Sequence, residues 1–196
     1  KYKATKGIPF RDLSKYEKVI DGKRIDRVII ANNDSDHADY YLQFHADHKY
    51  TYSINKASDN RAGAISNLSD SVKFNLNGED YTLKILGEFN IYNALPAIII
   101  AKKFNISYEN IKNGLLNLNL IPGRMELINA GQNYTAIVDY AHEKESVTNV
   151  LKTAVSIRKS PTNKIIVLLG AEGGGRDKSK RPLMGRISAE LADYVI

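Results

Sequence analysis

Polar and apolar positions change rhythm about two thirds of the way along the chain. Val72, Phe74 and Leu76 alternate with polar residues, as do Tyr81, Leu83 and Ile85, and Asn77-Gly78 separates the two runs. Asn-Gly between alternating segments predicts a β-hairpin across 72–86. Upstream, Arg27-Val28-Ile29-Ile30 predicts a strand over 25–31 that stops at the turn-rich Asn32-Asn33-Asp34-Ser35-Asp36. Tyr50, Tyr52 and Ile54 predict a strand over 49–54, residues 39–44 fit a helix start or a strand, and residues 1–19 read as a short helix or loop. An apolar helix is expected over 91–104. Pro96 falls inside it, harmless if the helix starts near Asn93 and kinking otherwise. Ser107 caps a second helix over 108–116.

Ile121-Pro122-Gly123 breaks the pattern and marks a domain boundary between 121 and 122. Strands are expected over 125–128 and 134–138. A helix follows over 144–158, with Val147, Val150, Leu151, Ala154 and Ile157 on one face. The strand Lys164–Leu169, a glycine loop, a helix over 183–191 and a strand starting at Tyr194 complete a strand–helix–strand–helix–strand order. That order specifies an α/β fold with a parallel sheet. Such a sheet normally has more strands than these, so the C-terminus reads as a truncation.

Composition narrows the class. The 196 residues suit one large or two small domains. Cysteine is absent, which excludes disulfides and thiolate metal sites. No apolar run is long enough to span a bilayer and no signal-peptide pattern opens the chain, so no membrane partner and a cytoplasmic setting are expected. The net charge of +6 fits anionic ligands, and the densest basic cluster lies in the glycine loop, which favours a small anion over a nucleic-acid track.

Two motifs carry candidate chemistry. Asp139-Tyr140-Ala141-His142 directly follows a strand, where ligands of open α/β sheets bind. There an aspartate can accept from a ribose and a histidine can donate to a phosphate; alternatively, Asp139 caps the next helix and His142 is solvated. The second motif is Gly170-Ala171-Glu172-Gly173-Gly174-Gly175-Arg176-Asp177-Lys178-Ser179-Lys180, between strand and helix. Its backbone can approach an anion closely, and Arg176 can fork a carboxylate. It matches neither the Walker A order nor the dinucleotide fingerprint. If both motifs end strands of one sheet, Asp139, His142 and Arg176 share an edge. His37, His45 and His48 with Asp34, Asp36 and Asp47 match no standard zinc spacing.

Four ordered blocks carry a family resemblance: Phe89-Asn90-Ile91-Tyr92-Asn93-Ala94-Leu95; Pro122-Gly123-Arg124-Met125-Glu126; Val138-Asp139-Tyr140-Ala141-His142; and Gly174 to Gly185. Together they resemble the Mur ligases, most closely the branch that adds the third residue of the peptidoglycan stem peptide. The resemblance implies the latter part of a central ATPase domain (1–121), without its P-loop, followed by the first half of a Rossmann-like C-terminal domain (122–196). It implies ATP-driven amide formation between UDP-MurNAc-L-Ala-D-Glu and a diamino acid, L-lysine or meso-diaminopimelate, through an acyl phosphate, with ATP and Mg²⁺. It further implies that Lys6 is carbamylated and holds Mg²⁺, that Asn93 contacts adenine, that Arg124 contacts ATP, that Asp139 binds ribose with His142 near the phosphates, and that Arg176, assisted by Lys180, binds the amino-acid carboxylate. A monomer is expected, and the isolated chain is expected to be inactive. Glu143, where Thr-Pro is frequent in the family, and Pro96, where alanine is usual, are departures. A catalytically inactive scaffold and a basic nucleic-acid-binding module are the competing readings.

Overall fold

The computed structural model describes residues 2–171 and 177–196. It begins with two one-turn helices, α1 (Tyr2–Lys6) and α2 (Ile8–Asp12), and a 3-10 turn, Leu13–Lys15. Next come β1 (Lys18–Ile20), β2 (Lys23–Ile25), β3 (Val28–Asn32), α3 (Ala38–Leu42), β4 (His48–Ser53), β5 (Asn60–Asn67), β6 (Val72–Leu76) and β7 (Glu79–Leu83). The helices α4 (Phe89–Lys103) and α5 (Tyr108–Leu116) precede β8 (Glu126–Ile128), β9 (Ala136–Val138), α6 (Lys144–Ser156), β10 (Ile166–Val167), α7 (Lys180–Leu191) and β11 (Tyr194–Val195). Among the described residues no helix is long and apolar enough to cross a membrane.

The chain divides into two compact units. One comprises Lys1–Ala64, Phe74–Asp80 and Tyr92–Ile111; the other comprises Ile65–Lys73, Tyr81–Ile91 and Lys112–Ile196.

A five-stranded sheet runs in the order β3-β4-β5-β6-β7. β3 and β4 are parallel, joined through α3, so the 39–44 segment resolves as helix. β4 and β5 are also parallel although only six residues separate them. Their ladder covers only Tyr52↔Asn60 and Ser53↔Arg61, so β5 begins where β4 ends and needs no long crossover. The strand β5 went unpredicted from sequence because Ala62 is its one buried position. Between β6 and β7, Asn77 (φ 53°) and Gly78 (φ 87°) both adopt the left-handed conformation, as a type I′ hairpin turn requires. Val72, Phe74 and Leu76 are at most 2% exposed, so the alternation read from sequence faces the core.

In α4, buried Ile91, Ala94, Leu95, Ile98 and Ile99 form a stripe at helical spacing. The helix starts at Phe89 rather than near Asn93, which places Pro96 in its interior. Pro96 has no N–H to give to the carbonyl four residues back. Asn93 is therefore an exposed helical residue, not a cap.

In the second unit, Ile85, Leu86 and Met125 form one core with Phe89, Ile137, Val150 and Ile157 against it. Val147 and Leu151 of α6 and Met184 of α7 form another, packed against Ile165, Val167, Leu169 and Ile187. β10 and β11 are parallel, as the strand–helix–strand order predicts. The shared edge is corrected. β9 pairs antiparallel with β8, while β10 pairs parallel with β11, in separate two-stranded sheets. The local hairpin through Gly131 (φ 84°) takes up the β9 ladder, and among the described residues none joins it to β10.

Candidate functional site

The Pro122–Glu126 turn and the Asp139–Glu143 loop are bound to each other, and the sequence dictates how. Gly123 has φ 68° and Met125 φ 47°. A glycine adopts that geometry freely and a methionine does not. Asp139, directly after β9, compensates. Its Oδ2 accepts the Met125 N–H at 2.8 Å and its Oδ1 accepts the Ala141 N–H at 2.8 Å. Tyr140 N–H donates to the Gly123 carbonyl at 2.9 Å, and Gly123 N–H donates to Glu126 Oε2 at 2.8 Å. The Tyr140 ring lies so close to Gly123 that a Cβ there would sit 2.3 Å from a ring carbon. The Arg124 guanidinium lies 5.6 Å from the same ring centre.

Asp139 does not cap the following helix. Glu143 is the N-cap of α6, in a capping box with Ser146. A carboxylate offers about four acceptor positions, so Asp139 keeps lone pairs for a ligand after accepting two amides. His142 is exposed, with Nδ1 2.9 Å from the Tyr140 carbonyl oxygen. A carbonyl only accepts, so this contact assigns the proton to Nδ1 and leaves Nε2 for other chemistry.

Lys180 opens α7, is only 9% exposed, and places Nζ 3.3 Å from Glu143 Oε1. Just ahead of it, Asp177 Oδ1 accepts the Ser179 N–H at 2.8 Å and the Ser179 hydroxyl at 2.7 Å. These bonds hold the Asp177 carboxyl below its usual range. Arg124, Asp139, His142 and Lys180 thus gather around one loop of the second unit. Arg176 lies outside the described residues.

Lys6 and Asn93 belong to the first unit. Lys6 ends α1, exposed, with Nζ 5.4 Å from the Tyr2 ring centre. As an ammonium it cannot ligate a metal. Among the described residues no group of three or more His, Asp or Glu could hold a metal ion. Asp47, one of the acidic residues flagged with the histidines, is occupied by Arg24 and Arg27.

The pairing of Asp34 with Tyr92 escaped the sequence reading. Asp34, at the turn after β3, accepts the backbone N–H groups of Ile54, Asn55 and Lys56 at 2.7–3.0 Å and the Tyr92 hydroxyl at 2.7 Å. Burial alone would raise its pKa; the three amides and the hydroxyl outweigh it and lower the value to about 2. Tyr92 immediately precedes Asn93, so Asp34 tethers the helical turn that presents Asn93. The only sequence signal was an aspartate in a strand-ending turn, which does not reveal its partners.

The Mur ligase middle domain matches residues 14–101 and the Mur ligase glutamate ligase domain matches residues 123–196. The UDP-N-acetylmuramoyl-L-alanyl-D-glutamate–2,6-diaminopimelate ligase of Clostridium perfringens is 44% identical over 151 residues, 74% of this chain and 30% of that protein. The ligase of the same name from Geobacillus thermodenitrificans is 34% identical over 200 residues, 100% of this chain and 39% of that protein. The chain therefore spans between 30% and 39% of the length of these relatives. A solved diaminopimelate ligase structure matches with a TM-score of 0.62 at 26% identity, over 99% of this chain and 39% of that one. The UDP-N-acetylmuramate–alanine ligase MurC of Thermotoga maritima shares the fold, with a TM-score of 0.68 at 20% identity over 86% of this chain and 36% of that one. Matches to both a middle and a C-terminal domain, in the order of the sequence blocks, establish that the chain belongs to the Mur ligases, a family of ATP-dependent amide ligases.

Proposed function

We propose that the protein carrying this chain joins a diamino acid to the terminal carboxylate of UDP-MurNAc-L-Ala-D-Glu in peptidoglycan precursor synthesis, using ATP. The observation that carries the reading is 44% identity across most of the chain to a relative named for diaminopimelate ligation. Between the two amino acids, that naming favours diaminopimelate over L-lysine. The domain boundary falls between 121 and 122, beside the Pro-Gly-Arg turn.

ATP supplies the γ-phosphoryl group that turns the carboxylate into an acyl phosphate, which the amine then attacks. The chain's own residues orient and neutralise. Asn93, exposed on α4, contacts the base. Asp139 accepts from the ribose with the lone pairs left by Met125 and Ala141. Arg124, held by the Gly123 turn, offsets phosphate charge. His142, with Nδ1–H fixed on a carbonyl, donates to a phosphate oxygen from Nε2 when the ring carries its second proton, and Arg176 takes the carboxylate of the incoming amino acid. Lys6 is exposed enough to react with CO₂. The resulting carbamate is an anion able to hold Mg²⁺, which the ammonium cannot do. The protein acts as a cytoplasmic monomer, and these 196 residues alone do not turn over because they contain no phosphate-cradling P-loop sequence. A nucleic-acid module gains no support, since Arg24, Arg27, Lys102 and Lys103 are each paired with a carboxylate.

The test is phosphate release by the full-length protein with Mg²⁺ and bicarbonate, omitting each substrate in turn. Release requiring ATP, UDP-MurNAc-L-Ala-D-Glu and one diamino acid supports the reading and identifies that amino acid. Folded protein that releases none with either amino acid removes it in favour of an inactive scaffold.

A further inference from the structure

Lys180 occupies an unfavourable place for a cation. It is the first residue of α7, at the positive end of the helix dipole, and its side chain is only 11% exposed. The first turn of α7 has no acidic residue, and Ser179 makes no side-chain cap there. The anion that meets Lys180 comes from another helix. Glu143 Oε1 lies 3.3 Å from Nζ, and the Glu143 carboxylate also caps the backbone of Ser146 at the start of α6. Ser146 Oγ in turn accepts the Glu143 N–H at 3.1 Å, which fixes the N-cap from both sides. One carboxylate therefore caps the start of α6 and meets the buried ammonium at the start of α7.

We infer that Lys180 and Glu143 form an internal strut that positions the Asp139–Glu143 loop against the start of α7, and that Lys180 does not touch the substrate. Glu143 is thereby a positioning residue. This inference rests on the ligase reading for its kinetic consequences and on geometry alone for its effect on stability. A substrate carboxylate at Lys180 would have to share a largely buried ammonium with Glu143.

The experiment compares Glu143→Gln, Lys180→Met and the double variant in the full-length protein. Glutamine keeps a cap acceptor and removes the charge. A strut predicts that Glu143→Gln lowers the unfolding midpoint and kcat, because it removes the carboxylate that meets a buried ammonium. Lys180→Met in that background restores both, and KM for the diamino acid stays within about threefold throughout. A substrate contact predicts the reverse: Glu143→Gln frees Lys180 and lowers that KM, while Lys180→Met raises it about tenfold or more in either background. Either KM result overturns the strut, as do additive losses of midpoint. The midpoints remain decisive if the wild-type protein proves inactive, in which case the ligase reading falls separately.

Discussion

Replacing Gly123 with alanine tests the turn that presents Arg124. The φ of 68° costs an alanine about 1–2 kcal/mol. The new Cβ would also sit 2.3 Å from the Tyr140 ring, where carbon atoms normally approach to about 3.5–4.0 Å. Tyr140 is 68% exposed, so its ring can swing away instead of straining the core. That escape limits the steric part to the loss of the ring's contacts, including Arg124 at 5.6 Å, about 1 kcal/mol. The total is about 2–3 kcal/mol. Hydrogen exchange in the full-length protein reads this locally. The Tyr140 amide is bonded to the Gly123 carbonyl and the Met125 amide to Asp139, so peptides covering them report opening of the turn. Exchange there should accelerate about 30- to 150-fold at 1.4 kcal/mol per decade. In a Tyr140→Ala background only the φ cost remains, so the same change should accelerate exchange about 5- to 30-fold. An acceleration below about threefold, or the same effect with and without the Tyr140 ring, would refute the reasoning.

Further outcomes follow from the same geometry. Asp34→Ala should destabilise the protein by about 1–3 kcal/mol at pH 7, because it strips three backbone amides and the Tyr92 hydroxyl of an acceptor, with water at this half-buried site recovering part of the loss; denaturant unfolding checks it. Asp34 has a folded-state pKa of about 2 against 3.8 ordinarily, so its contribution is present above 3.8 and disappears as pH falls through about 2; Asp34→Asn should abolish that part of the acid dependence in unfolding followed across this window. Gly78→Ala meets no atom within 4 Å, so it should cost only the left-handed penalty, about 1 kcal/mol by denaturant midpoint. Lys6→Ala should abolish ATP-dependent phosphate release while leaving the unfolding midpoint unchanged, since its side chain is exposed.

Where burial follows a period, the sequence declared the fold. The β6–β7 hairpin, the stripe of α4 and the Val147–Leu151 face of α6 each put apolar side chains on one side, and Asn77-Gly78 suits the positive φ values of its turn. The β1–β2 hairpin shows the converse. Five of its six residues are exposed, so no alternation marks it, and Asp21-Gly22, both at positive φ, was its sole signal. Pro96 in the interior of α4 shows tertiary burial of Ile91 and Leu95 prevailing over a local helix breaker. In the site, Asp139 and His142 were legible by their place after a strand. What escaped was the use of their polar atoms: Asp139 bonds to Met125, fourteen positions away, and Glu143 to Lys180, thirty-seven away. Such pairings depend on how the chain returns on itself, which local patterns do not encode. The expected shared sheet edge failed for a different reason: the ladder of β9 went to its near neighbour β8 through a local hairpin.

The most direct test of the central claim follows one oxygen atom. UDP-MurNAc-L-Ala-D-Glu labelled with heavy oxygen in the terminal carboxylate is turned over by the full-length protein with ATP and meso-diaminopimelate, and the released phosphate is analysed by mass spectrometry. An acyl-phosphate ligase transfers one labelled oxygen to each phosphate as the amide forms. Amide product accompanied by unlabelled phosphate would contradict that chemistry, and ATP hydrolysis without amide product would contradict the ligase assignment itself.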